Sequence, residues 1–218
     1  MLAQWERRFE EKLIQNGLAE GVSDPAHDIA HFKRVVTAAK ALCLEEKAKP
    51  EVVVPAAWLH DFVNVPKNDP RRSQASRISA AAAIEYLASE GYPAEFHAEI
   101  AHAIEAHSFS AKIEPRTLEA RIVQDADRLD GLGAIGIARC FAVAGMLQRR
   151  IYDPEDPFGT GERPMDDLVN TIDHFYVKLF KVAEVLTTSA GRLEGKRRAE
   201  YMRLFLKELG REIGAPTP

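Results

Sequence analysis

His60 and Asp61 stand side by side at the end of AAWLHDFVNVPK, a stretch that is apolar up to that point. Two good metal ligands at the edge of a run that should bury itself call for a chemical reason. A second His-Asp pair, His27-Asp28, is followed by His31, and His102 and His107 share a later segment. QDADRLD, Gln124 to Asp130, puts three carboxylates among Ile122, Val123, Leu129 and Leu132, so that segment is expected to be packed rather than solvated. Imidazoles and carboxylates drawn from several helices of a bundle can hold one divalent ion. Mixed His/Asp ligation with open positions suits Mn, Fe, Co, Ni or Mg better than a closed tetrahedral Zn site. On a helix His60 and Asp61 lie about 100° apart, yet both can reach an ion placed over the helix end, where the carbonyl end of the dipole favours a cation.

The elements that must position these groups read as helices throughout. Leu2, Trp5, Phe9, Leu13 and Leu18 mark one face of a first helix that Gly21 should end. Ser23-Asp24-Pro25 announces a second, over about 26–47. The run 52–62 opens Val-Val-Val, but Pro50 and Pro55 argue against a sheet, and it reads as a buried helix with Pro55 near its first turn. A polar loop is expected over 64–73, then helices over about 74–89, 94–107 and 115–129, and a helical stretch interrupted by Gly131, Gly133 and Gly136. A long loop at 152–164 should lead to two closing helices, 165–188 and 191–213. The spacing predicts an all-α fold, one domain over 1–218, with a motif core over about 23–140 and C-terminal helices over 165–213 packed on it.

Composition narrows the function classes. A chain of 218 residues with net charge -4 has no basic excess for a nucleic-acid polymer. Two isolated cysteines, Cys43 and Cys140, give no disulfide framework, which fits a reducing cytoplasm. The charged N-terminus lacks a signal-peptide core and no window is long enough to span a membrane, so a cytoplasmic location is expected. No G-x-S-x-G elbow or Walker loop is present, and the paired E-x-x-H motifs that a di-iron bundle requires are missing, Glu99-His102 being the one such spacing.

The order His31, His60-Asp61 and DADRLD resembles the HD-domain superfamily of metal-dependent phosphohydrolases. HDIAHFKRV, WLHDFVNVPK with EAHSFS, and VQDADRLDGLGAIGIAR sharpen the likeness to the small stand-alone YedJ-like bacterial subgroup. The resemblance implies an HD-type helical bundle and a metal-activated water that attacks phosphorus. Carried over, it makes His31, His60, Asp61 and Asp127 the metal ligands, and Asp125, two residues from Asp127, is expected either behind the ligands or as a helix contact. It implies proton-handling or phosphate-binding roles for His107, Lys67 and Asp125, with Lys67, Arg71 and His102 toward the substrate phosphate. The expected substrate is a small phosphate ester or a nucleotide. The alternative is a silent regulatory protein that binds a metal or nucleotide without turnover.

Overall fold

The computed structural model describes residues 2–17, 28–65 and 69–216. They are helical, and the one β-type pairing among them is an isolated bridge, Arg150 to Asn170. The helices are α1 (Leu2–Gln15), α2 (Ile29–Glu46), α3 (Pro50–Leu59), α4 (Ala75–Glu90), α5 (His97–His107), α6 (Leu118–Asp130), α7 (Gly133–Met146), α8 (Phe180–Glu184) and α9 (Ser189–Ile213). No single helix among the described residues is long and apolar enough to cross a membrane. The chain groups into two compact units, Met1–Asp127 with Thr187–Gly191, and Arg128–Leu186 with Arg192–Pro218.

The first unit is built around α3, which packs against α1, α2 and α5. Every residue from Val52 to Leu59 is buried. Three consecutive valines cost a few tenths of a kcal/mol each in a helix, but burying each returns about 1.5–3 kcal/mol, so burial decides the conformation. Pro50 starts the helix, where its missing N–H is harmless. Pro55 is not near the first turn as the sequence suggests but in the helix interior. Its ring denies a partner to the carbonyl four residues back, that of Glu51. The Tyr92 hydroxyl takes that carbonyl at 2.6 Å. Burial then pushes the Tyr92 phenol up to about 12, with the Glu51 charge adding to it.

α2 begins where Asp28 caps it, Oδ1 accepting from His31 N at 2.9 Å. Ile29, Phe32, Val35, Val36, Ala39 and Leu42 form its buried stripe. α1 ends at Gln15, earlier than expected, and seats Phe9 and Leu13 in the core. Leu18, Gly21 and the start signal at 23–25 lie outside the described residues.

In the second unit the glycine series makes a tight corner. Gly133 has φ +71 at the start of α7, and a Cβ on Gly136 would collide with the Gly131 carbonyl. The single helix expected over 165–188 is corrected. Residues 165–172 are irregular chain and turns, the helix starts only at Asp173 and His174, and a π-helical turn, Phe175–Leu179, and then α8 follow. The side chains explain this. Asp166 Oδ1 accepts from Leu168 N, and the buried Asp173 carboxylate accepts from Asp166 N and from Arg163. Short polar side chains that bind nearby backbone compete with the helix ladder.

Candidate metal centre

Three helices deliver the sequence-predicted ligands to one place in the first unit. His31 comes from the first turn of α2, His60 and Asp61 from the end of α3, and Asp127 from α6. His31 Nε2 lies 3.3 Å from His60 Nε2 and 3.6 Å from Asp127 Oδ1. His60 Nε2 is 3.9 Å from both Asp127 Oδ1 and Asp61 Oδ2. His107, the last residue of α5, brings Nε2 to 3.6 Å from Asp61 Oδ1. His31, His60 and Asp127, and likewise His60, Asp61 and His107, offer donor atoms all within 4.8 Å of one another.

The tautomers follow from the backbone. His60 Nδ1 lies 2.9 Å from the Ala57 carbonyl, and His107 Nδ1 lies 2.6 Å from that of Ile104. A carbonyl only accepts, so each Nδ1 carries a proton, and on neutral His60 Nε2 is left with a lone pair that faces the carboxylates. Both rings use the carbonyl three residues back on their own helix. Burial lowers the His60 pKa to about 4, against the opposing pull of Asp61, so its ring stays neutral. Burial also works against charge on His107, but the hydrogen bond and charge of Asp61, with Asp127, raise its pKa overall.

This donor set fits a divalent ion. Imidazole and carboxylate donors bind such ions at about 2.0–2.2 Å, so donors sharing one ion lie roughly 3–4 Å apart, as these do. His60 has one free lone pair, so the two overlapping triads describe one centre rather than two independent ions. Neutral imidazoles with carboxylates are the protonation states that ligation requires.

The other predicted site residues are placed differently. Asp125, expected either to handle protons or to make a helix contact, makes the helix contact. It accepts from Thr187 N at 3.0 Å, from Thr188 N and Thr188 Oγ1 at 2.7 Å each, and from Thr187 Oγ1. It thereby anchors the start of α9, which Thr188 caps by accepting from Gly191 N. A Cβ at Gly191 would come within 2.5 Å of Asp125 Oδ2, so glycine is required there. His102, expected toward the phosphate, accepts the Arg116 N–H at 3.0 Å and ties α5 to the approach to α6. Arg71 forks onto Asp69 at 2.8 and 3.1 Å and holds that carboxyl down at about 2. Lys67 and His27 lie outside the described residues.

Two contributors escaped the sequence reading. Gln124 donates to the Ala106 carbonyl at 2.7 Å and steadies the turn of α5 that presents His107. Asp28 reads in sequence as half of a possible ligand pair, but it is the cap that orients His31. Its place just before the apolar stripe of α2 is the signal that could have shown this.

Comparison with known proteins agrees with this geometry. Residues 28–132 match the HD domain family. YpgQ of Bacillus subtilis (strain 168) is 30% identical over 191 residues, covering 86% of this chain and 84% of YpgQ. The chain belongs to the HD domain family. The crystal structure of YpgQ in complex with ADP aligns with TM-score 0.73 at 27% identity, covering 95% of this chain and 97% of YpgQ. A Bacillus thuringiensis HD-superfamily hydrolase aligns with TM-score 0.72 at 29% identity, covering 96% of this chain and 98% of that one.

Proposed function

We propose that this protein is a metal-dependent phosphohydrolase acting on a small phosphorylated compound, with nucleotides the favoured class. The observation that carries the reading is the convergence of His31, His60, Asp61 and Asp127, with the His60 lone pair fixed toward the carboxylates. These four would hold a divalent ion, whether Mn, Fe, Co, Ni, Mg or Zn. Such an ion supplies Lewis acidity to a phosphoryl oxygen and acidifies water.

The remaining steps belong to the chain. His107 Nε2, facing Asp61 Oδ1, is the group placed to accept or return a proton beside the ligands. The Ile104 carbonyl holds its ring in that orientation, and Gln124 steadies the backbone beside it at Ala106. Neither thiol is set up as a nucleophile, since burial pushes Cys43 up and Cys140 up to about 11. Lys67, six residues after Asp61, is the proposed cation for the transferred phosphate. The nucleotide preference draws on YpgQ, which was solved with ADP.

The test is anaerobic purification with metal analysis, then a screen of nucleoside di- and triphosphates and simple phosphate esters with added Mn, Mg, Co or Ni. Turnover that a chelator abolishes and metal restores is expected. Bound metal with no turnover of any phosphate compound would instead establish the silent regulatory alternative.

A further inference from the structure

Four phenylalanines are candidates by sequence to stack on a flat ligand, and the structure separates them. Phe62 is buried and stacks on Tyr86, ring centroids 5.5 Å apart. Phe158 is buried. Phe141 sits edge-on to Phe175 and Phe205. Phe109 is 83% exposed and makes no ring contact among the described residues. A phenylalanine held in water forfeits most of its transfer free energy.

Its position is specific. Phe109 opens a short 3-10 turn, Phe109–Ala111, that begins two residues after His107. Two residues span at most about 8 Å between Cα atoms, so the backbone of Phe109 lies close to that of His107, whose ring faces Asp61. The turn packs against Arg72–Gln74. Arg72 in turn donates to the Val65 carbonyl at 2.6 Å, on the strand of chain that leaves His60-Asp61. The surroundings of the ring are polar. Ser108 and Ser110 share a hydrogen bond at 3.0 Å on either side of it, and Lys112 follows in the left-handed region at φ 52. A lone ring among hydroxyls lacks the contiguous apolar area of a protein interface. It does suit one flat, polar-edged aromatic, such as a base, whose face stacks while its edge meets hydroxyls.

We propose that Phe109 is the platform on which the base of a nucleotide substrate stacks, and so a specificity-determining residue of the site. This rests on the phosphohydrolase reading for the position of the phosphate. The test compares ADP with inorganic tripolyphosphate, by equilibrium binding and by turnover, in the metal-loaded wild type, Phe109→Ala and Phe109→Trp. Because the ring is exposed, neither substitution removes core packing.

Phe109→Ala is expected to weaken ADP binding and raise its KM about 10-fold, with kcat and the tripolyphosphate values little changed. Phe109→Trp should retain ADP affinity and show indole fluorescence quenching when ADP binds. Unchanged ADP affinity in Phe109→Ala, or equal weakening toward ADP and tripolyphosphate, overturns the proposal. ADP binding that depends on Phe109 without any turnover would support it while removing the hydrolase reading. Turnover of both compounds indifferent to Phe109 would do the reverse.

Discussion

In the second unit the buried Asp173 carboxylate meets a guanidinium of its own chain, with Arg163 Nη1 and Nη2 at 2.6 and 2.9 Å. Asp166 N and Asn170 Nδ2 complete its coordination. In the first unit Asp61 and Asp127 face imidazole nitrogens at 3.6 to 3.9 Å, and two of those imidazoles face each other at 3.3 Å. Asp173 is fully buried, whereas Asp61 and Asp127 keep about a quarter to a third of their side chains exposed, and the two clusters are finished differently. The knot around Asp173 is an ion pair with short charge-assisted bonds, and its work is to shape the loop from Asp153 to Arg163. The cluster around His60 gathers imidazole and carboxylate donor atoms at mostly longer spacings, 3.3 to 3.9 Å, suitable for sharing a cation. Burial of carboxylates does not by itself mark a site. The partner chemistry does.

The comparison can be broken most sharply at Asp61. Asp61→Ala should lower turnover by more than the roughly 10- to 100-fold typical of groups behind a ligand, and elemental analysis should find the metal gone. Circular dichroism should keep its helical signal. Normal metal content and activity in this variant would dissolve the contrast between the clusters.

Arg163→Met is the matching cut in the knot. It strands a fully buried carboxylate, and breaking such a pair costs about 3 kcal/mol or more, read as a lower denaturant midpoint. Metal content should be unchanged, because the knot contributes nothing to the ligands. pH gives a finer version. Burial alone would raise the Asp173 carboxyl, but Arg163, Asp166 N–H and Asn170 outweigh it and hold it below its ordinary value. The stability this supplies is fully present above about pH 4, the unfolded value, and is lost as pH falls through the depressed native one. The advantage of the wild type over Asp173→Asn should therefore shrink in acid denaturation series below about pH 4. An advantage that grew there would reverse the assignment.

Asp125→Ala and Asp127→Asn separate anchor from ligand on one helix. Loss of metal is expected from Asp127→Asn. Asp125→Ala should chiefly lower stability, by about 1–3 kcal/mol for its charge-assisted bonds to Thr187 and Thr188. If Asp125→Ala lost metal at full stability, the roles would be exchanged. The smallest effect is expected from Tyr92→Phe, about 1 kcal/mol for the bond to the Glu51 carbonyl.

Much of this was legible in the sequence because it depends on period and residue type. The apolar stripe of α2, the burial of α3 and the packed carboxylates of α6 all follow from spacing. His31, His60, Asp61 and Asp127 could be singled out through the resemblance to the HD-domain superfamily, while residue type alone offered the wider set of histidines and carboxylates. What could not be read was pairing at a distance. Nothing local says that Asp125 serves Thr187 and Thr188, or that His102 receives the Arg116 N–H. Nor does periodicity show that Asp173 and Arg163 will keep residues 165–172 out of a helix. Exposure of Phe109 was equally hidden, since an aromatic beside a helix end normally reads as packing.

The Tyr92 hydroxyl on the Glu51 carbonyl has a consequence for how the molecule assembles. With Pro55 in its middle, α3 cannot close its own ladder, so an excised 50–62 peptide should have little tendency to be helical. The missing donor arrives only when the corner between α4 and α5 docks, 41 residues further along. Formation of the helix that ends in His60-Asp61 is thereby tied to a contact remote in sequence, and its amides should exchange with solvent together with those around Tyr92. Ligand geometry and the α4–α5 corner would then be gained, and lost, as one cooperative event.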